Sequence, residues 1–512
     1  MNLKEFKTKS GEIILYNGSP NFEKLENLAT GSGDIWHSSF EQGYKNAFSD
    51  LVYQAAVFYW YLNDFDNLEE CVSWRINPHQ FAIRKKVWEI IGGFDKDFDN
   101  PQMQALDFGF ASNRFYAAIP LYCKGLFESN VLDEIIISPK DRHLFFRKNF
   151  KIDHAIYMNF RIGFWKISEW NLLFKTKNKF KKRNFHKIIP PRKLNEIHGN
   201  PTVSYIIPTM LRQEFTVQLL ADLSNQNYLP KEVIVVDATP ESERDELLYI
   251  PQIYPFELKV IWQKSKGSCR ARNEGIAIST GDYIIFADDD IRILPNFIEN
   301  HIKLLQTYKA GACNGLDIRA YKDTDDLVVL KNAYDNLNEI KKHVGCTQMF
   351  SNANSCVERK YVNQLVGNDV NFDGGYGEDS DFGMSLSKIG VTVLYNPFSA
   401  NLHLKPESGG YRWWGMQAGI LGKKRKAQPW ELNVPVKNIR PVPSPTIMYG
   451  ILKHFNVFQL KEYKYKHFIF YIVNGSKIGI LYRILRIPYK NLEFKKSIFY
   501  ANKLIELGKR TK

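Results

Sequence analysis

Between residues 201 and 405, short apolar runs that stop abruptly alternate with stretches of helical periodicity. Val203-Ser204-Tyr205-Ile206-Ile207 stops at Pro208, and Glu232-Val233-Ile234-Val235-Val236 stops at Asp237. Residues 258–262 and 283–286 are two further runs of this kind. Short continuous apolar runs bounded by turn residues predict strands buried on both faces. Residues 215–226 and 270–279 carry apolar side chains at helical spacing, and the second stretch closes on Thr280-Gly281, a helix stop. Strands alternating with helices predict an α/β fold with a mostly parallel sheet, whose ligands lie beyond the carboxyl ends of the strands. Asp237 and the triplet Asp288-Asp289-Asp290 stand at two such ends.

Three adjacent carboxylates repel one another unless a cation neutralises them. Their hard oxygens suit Mg²⁺ or Mn²⁺, ions that commonly bridge to phosphate. A polar turn alone also favours aspartate after a strand. The triplet belongs to an ordered series: VSYIIPT, EVIVVDAT, GSCRARNEGI, GDYIIFADDD and GGYGEDSDFG. Over roughly residues 203–412, that series resembles family 2 of the glycosyltransferases, which has the Rossmann-like GT-A fold. The resemblance implies an inverting, metal-dependent transfer from a nucleotide-sugar donor, a UDP-sugar first, to a glycan or lipid-linked acceptor in surface polysaccharide assembly.

It also implies roles. Pro208 and Thr209 would line the nucleobase pocket, Asp237 would contact the base, and Arg272 and Asn273 would lie beside the donor. Asp288 and Asp289 would sit near ribose and ion, with Asp290 and Asp288 on the metal. Ala238-Thr239 stands where the family carries a second acid or a glycine, which leaves the nucleotide open. Direct displacement needs a base for the acceptor hydroxyl, and the family places it in the pair Glu378-Asp379, with Asp379 the first choice and Glu378 the alternative. Asp381 is assigned to structure, because acids favour a helix's first turn. His403 would be a third metal ligand, and its imidazole favours Mn²⁺ over Mg²⁺; a packed strand histidine is the other reading. Ser408-Gly409-Gly410 reads as a loop, followed by Arg412 for the diphosphate and Trp413-Trp414 for a sugar.

Two other classes compete. A nucleotidyltransferase would carry a glycine-rich basic loop after the first strand, whereas Thr209-Met210-Leu211-Arg212-Gln213 has no glycine. A non-catalytic glycan-binding or scaffold protein of the same fold is the other alternative.

Sliding the chain against itself by 274 residues aligns residues 82–109 with 356–383 without a gap, with 8 of 28 positions identical. Asp107-Phe108-Gly109 falls on Asp381-Phe382-Gly383, but Gln104 and Ala105 fall on Glu378 and Asp379. Residues 1–150 therefore read as the acceptor half of a GT-A domain without its base. Asp64-Phe65-Asp66 imitates a D-x-D but lacks the preceding motifs. Trp36-His37 and Trp74-Arg75 suit either recognition, on a surface that includes Trp36, or packing. The expected organisation is this half-module, a basic linker over 151–200, the GT-A domain over 201–410, and a basic helical tail over 411–512.

Charge sharpens the picture of the tail. The chain of 512 residues carries a formal net charge of +14. From residue 411 onward there are 21 Lys+Arg and 4 Asp+Glu, a net of +17, so residues 1–410 carry −3. Basic residues interleaved with Phe, Tyr, Ile and Leu suit an anionic membrane surface, a solvated basic helical region is the other reading, and no nucleic-acid motif accompanies them. The six cysteines have no C-x-x-C spacing, which argues against a structural zinc site. No apolar leader opens the sequence, so the reading is a cytoplasmic protein, peripheral at the inner face of the membrane.

Overall fold

The computed structural model describes residues 2–39, 68–128, 137–184, 189–249, 253–347, 350–411, 422, 424, 426–474 and 477–512. Two sheets organise them. The first has six strands: β1 (Lys4–Lys7), β2 (Ile13–Asn17), β3 (Ile35–His37), β4 (Glu70–Val72), β5 (Phe81–Arg84) and β6 (Pro120–Cys123). Their order is β1-β2-β5-β3-β6-β4. Helix α1 (Phe22–Ala29) joins β2 to β3, while α2 (Lys85–Ile91) and α3 (Pro101–Phe115) join β5 to β6. Asn21 caps α1 by accepting from the Lys24 amide, and Asn100 caps α3 ahead of Pro101. Both are preferred starts.

Helices α4 (Pro139–Asn149), α5 (Ile152–Gly163) and α6 (Ile167–Lys179) follow. The segment expected to be a linker is thus helical over most of its first half. Its apolar positions Ala155, Met158 and Leu173 pack with Phe145 and Phe146 of α4, and Lys166, Lys175, Lys177 and Lys179 are exposed.

The second sheet has eight strands in the order β11-β14-β12-β13-β10-β7-β8-β9. These are β7 (Val203–Thr209), β8 (Glu232–Asp237), β9 (Glu257–Trp262), β10 (Tyr283–Ala287), β11 (Ile291–Ile293), β12 (Ala312–Arg319), β13 (Asn354–Glu358) and β14 (Val393–His403). Strands β10, β7, β8 and β9 run parallel. β7 and β8 are buried throughout, as apolar runs at the centre of a covered parallel sheet should be. The helices are α7 (Gln213–Ser224), α8 (Ser268–Ile278), α9 (Phe297–Tyr308), α10 (Leu327–Asp335), α11 (Arg359–Leu365) and α12 (Glu378–Lys388). The expected strands and the first two helices fall within two residues of those observed. This mixed sheet, parallel on one side and antiparallel around β13, is the GT-A arrangement.

One apolar cluster joins the two sheets, from Ile14, Leu25 and Trp36 to Ile302, Leu305 and Tyr308. Arg192 pins the junction: it donates to the Gly31 carbonyl at 2.7 Å and lies 4.7 Å over the Tyr308 ring. Trp36, His37, Trp74 and Arg75 are all buried, so these residues pack the interior and Trp36 is not a surface residue. Burial lowers the His37 pKa to about 4, against the Ser73 hydrogen bond. Asp64-Phe65-Asp66 lies outside the described residues.

The basic tail forms α13 (Pro445–His454), α14 (Val457–Val473), α15 (Ile480–Leu485) and α16 (Ile487–Leu507). Its first and last helices are part of the folded core: Met448, Tyr449, Phe494, Tyr500 and Leu504 pack with Val370, Phe372 and Cys269. Among the described residues no helix is long and apolar enough to cross a membrane.

Candidate active site

Strand β10 delivers the three aspartates, and strand register does the rest. The chain turns back after Asp290 into β11, which pairs antiparallel with β14 so that Ile291 faces His403. The Leu404 amide donates to the Asp290 carbonyl at 2.8 Å. Asp288, Asp290 and His403 each present one ligand atom, all within 4.8 Å of one another. Two carboxylates and an imidazole fit Mn²⁺ or Mg²⁺, with the imidazole favouring Mn²⁺.

His403 is oriented from behind. Its Nδ1 lies 3.0 Å from Asp317 Oδ1 and its Nε2 lies 3.4 Å from Asp290 Oδ1. Asn401 donates to the same Asp317 oxygen at 2.9 Å. A carboxylate behind a histidine fixes its ring and strengthens it as a ligand. Burial opposes the charged imidazole, but the Asp317 hydrogen bond and the Asp290 charge outweigh it and raise the His403 pKa.

Arg212 enters the same cluster. Its Nη1 lies 2.8 Å from Asp290 Oδ2 and 3.2 Å from Asp289 Oδ1, and its Nε donates to the Ser408 carbonyl at 3.0 Å. Gly409 and Gly410 lie against it with φ of +81° and +74°, a region that favours glycine. A Cβ on Gly409 would come within 2.7 Å of Arg212 Cγ. The Ser408 loop is therefore moulded onto Arg212. Burial and the Asp290 charge push the Asp289 carboxyl up to about 7, against Arg212 and Thr209.

Pro208 and Thr209 end β7 beside this cluster, both buried. The Thr209 hydroxyl donates to Asp289 at 2.7 Å. Asp237 ends β8 with both oxygens already engaged: the Thr239 amide donates at 2.8 Å and the Tyr249 hydroxyl at 2.9 Å. Arg412, Trp413 and Trp414 lie outside the described residues.

Arg272 on α8 connects this cluster to a second one. Its Nη2 donates to Asp288 Oδ1 at 2.8 Å. Its Nε and Nη1 are buried with no partner among the described residues. Buried donors of a charged group are costly to leave unmatched, so they could receive an anionic group. Neighbouring Asn273 serves a different purpose: its side chain bonds Asn368 and the Thr511 carbonyl, holding the tail.

Glu378 and Asp379 open α12 behind Gly377, which has φ of +106°. Burial and the Glu378 charge raise the Asp379 pKa to about 7, opposed by Arg272, and burial raises Glu378 as well. The Asn352 amide N–H lies 3.3 Å from Asp379 Oδ1. The Asn352 side chain is buried with neither end bonded among the described residues. Asp381, two residues on, faces the other way, into Lys453 Nζ at 2.8 Å and His454 Nε2 at 2.7 Å. The Thr446 hydroxyl of α13 accepts from the Tyr376 amide at 2.9 Å. The tail thus braces the helix that carries Glu378 and Asp379.

Arg212, Asp317 and Asn352 belong to this site but carry no spacing signal in the sequence. Chemically, the first cluster can hold a divalent ion and a diphosphate, where charge builds on a leaving group. A carboxylate of pKa near 7 on the far side of Arg272 can accept a proton.

Residues 204–356 match the family described as Glycosyl transferase family 2. A 107-residue stretch is 33% identical to the uncharacterized glycosyltransferase YwdF of Bacillus subtilis, covering 20% of this chain and 38% of that one. A 99-residue stretch is 30% identical to the putative colanic acid biosynthesis glycosyl transferase WcaA of Escherichia coli, covering 19% and 36%. The matched part thus spans less than half of either relative. Among solved structures, the mannosyltransferase PcManGT of Pyrobaculum calidifontis, in complex with GDP-Man and Mn²⁺, is similar with a TM-score of 0.35 at 17% identity, covering 61% of this chain and 89% of that one. Over residues 204–356, which include the three aspartates at the end of β10, the chain is thus similar to glycosyltransferase family 2.

Proposed function

We propose that this protein transfers a sugar from a nucleoside-diphosphate sugar, a UDP-sugar first, to a glycan or lipid-linked acceptor with inversion at the anomeric carbon. The observation that carries the proposal is the convergence of Asp288, Asp290 and His403 within 4.8 Å at the end of β10, with Asp379 across Arg272. Asp288, Asp290 and His403 would hold Mn²⁺ or Mg²⁺, which when bound supplies charge neutralisation for the departing diphosphate. Pro208, Thr209 and Asp237 close the nucleotide end. Asp237, with both oxygens engaged, would meet a base only along its remaining lone pairs.

The unpartnered Nε and Nη1 of Arg272 suit the diphosphate. Arg412, which the family resemblance assigns to the diphosphate, lies outside the described residues. Asp379, with Glu378 the alternative, takes the proton from the acceptor hydroxyl as that oxygen attacks the sugar from the face opposite the diphosphate. The name of WcaA, a putative colanic acid biosynthesis glycosyl transferase, supports surface polysaccharide assembly as the setting. The first sheet is read as a half-copy that positions an acceptor or a partner.

The test is hydrolysis and transfer by the full chain over a panel of nucleotide sugars, with Mn²⁺, with Mg²⁺ and with chelator. Metal-dependent turnover of one donor is expected. Inactivity on every donor with both metals, beside unchanged donor binding, would favour the non-catalytic glycan-binding alternative.

A further inference from the structure

Helices α14 and α16 form an antiparallel hairpin with α15 at its tip. His467 stacks on Phe494 at 5.3 Å, Lys490 lies 5.3 Å over the Tyr471 ring, and Arg483 Nε donates to the Ile472 carbonyl at 2.8 Å. The base of the hairpin is buried in the tail's core through Phe494 and Tyr500. The tip is the reverse: Ile478 is 96% exposed, Leu481 68%, Tyr482 61% and Leu485 71%. A solvated tip has no reason to present that much contiguous apolar surface.

Charge narrows the occupant. From residue 463 to residue 492 there is no acidic residue and there are six Lys+Arg. The flanking acids are buried and neutralised. Glu462 accepts from the Tyr157 hydroxyl at 2.8 Å and pairs with Arg161, and Glu493 pairs with Lys490 at 2.7 Å. Arg486 lies 5.5 Å over both Tyr482 and Tyr489, so cation and rings share one face. A second copy of this tip would bring like charges together. A nucleic acid would leave the aliphatic side chains in water. An anionic bilayer satisfies both, with apolar side chains at the acyl boundary and cations at the phosphates.

We propose that the α14–α15–α16 tip docks on an anionic membrane surface, inserting Ile478, Leu481 and Leu485 and setting Arg486 among the lipid headgroups. This inference uses no part of the donor site, so it stands or falls separately from the transfer reaction.

The experiment is co-sedimentation of the full chain, without donor or metal, with phosphatidylcholine vesicles that contain or lack phosphatidylglycerol. The parent should bind the anionic vesicles and lose binding as salt rises. Leu481→Ser with Leu485→Ser should weaken that binding by about tenfold or more. Both residues are exposed, so circular dichroism and the melting midpoint should stay unchanged. Equal binding by parent and variant would overturn the proposal, as would equal binding to neutral vesicles or no binding at all. A parent dimer that the same substitutions split would reassign the tip to a second copy.

Discussion

The two sheets of this molecule are laid out alike, yet among the described residues only the second carries the Asp288, Asp290 and His403 cluster. In the first, β2, α1, β3, β5, α2, α3 and β6 occur in that order, with β4 inserted before β5; in the second, β10, α9, β12, β13, α11, α12 and β14 do, with β11 inserted after β10 and α10 after β12. The strand order β2-β5-β3-β6 matches β10-β13-β12-β14, with the same parallel and antiparallel pairings. Gly93 and Gly367, at equivalent positions, both take positive φ, +75° and +69°. One cation ties two carboxylates in each half. Arg183 binds Asp95 at 2.7 Å and Asp107 at 2.7 Å, while Lys453 binds Asp369 at 2.9 Å and Asp381 at 2.8 Å.

The acidic positions at the helix start part company. Where the second half has Glu378 and Asp379, the first has Gln104, whose amide bonds the Phe98 carbonyl at 2.8 Å, and fully buried Ala105. No counterpart of β7, β8 and β9 is present among the described residues of the first half. The scaffold that positions a helix and the carboxylates at that helix's start are thus separable requirements.

The largest expected effect lies on the second half alone. Asp290→Ala removes a charged group from the metal cluster. A loss of several kcal/mol of stabilisation predicts a fall in turnover of at least about a thousandfold, with metal-dependent donor binding lost. Donor titration with and without Mn²⁺ checks it; unchanged metal-dependent binding would place the ion elsewhere.

Next comes the position where the halves differ. Asp379→Asn should lower turnover by about 10²–10⁴-fold at nearly constant donor affinity. Ala105→Asp should create no activity and should destabilise the first half, because a carboxylate would be buried there without a partner. Transfer assays and thermal melts of both variants decide this, and a new activity from Ala105→Asp would mean that the first half binds a donor.

The shared tie gives a third test. Arg183→Met and Lys453→Met each remove a charged partner from two carboxylates, while Lys148 still pairs with Asp95 and His454 with Asp381, so each should cost about 1–3 kcal/mol. Both should lower the melting midpoint, but only Lys453→Met should also lower turnover, since α12 carries Asp379. Burial opposes the Asp381 carboxylate, but His454 and Lys453 hold its pKa below the ordinary value. Its contribution is therefore present above the unfolded carboxylate pKa of about 3.9 and lost as pH falls through the lower folded value.

The smallest effect is the pH profile. With a pKa of about 7, Asp379 is protonated and inactive on the acid side. Below that value, kcat/KM should fall about tenfold per pH unit. Asp379→Asn should flatten this limb, and a limb that persists in the variant would assign it to another group.

Strands β7 to β10 of the second sheet were legible in sequence because each is a closed apolar run ending in a turn residue, as Val203 to Thr209 illustrates; β11, β12 and β13 were not. The aspartate triplet and the Glu378-Asp379 pair were legible as motifs, and the offset of 274 residues anticipated that α2 and α11 coincide. Arg212, Asp317 and the Lys453 tie were not. Each acts across about 70 to 90 residues, and no local pattern distinguishes such a side chain from a solvated one. Trp36 misled because a tryptophan reads the same whether it faces a ligand or, as here, the interior.

The bond between Asn273 and the Thr511 carbonyl spans 238 positions of sequence, and Arg272 stands next to Asn273. During synthesis, a chain that has emerged only as far as β14 already contains every residue of both reactive clusters. It still lacks the helices that seat α8 and α12. Catalytic competence should therefore arrive late, when α13 and α16 close over those two helices, so stalled or clipped products would carry the full set of reactive side chains and yet remain silent.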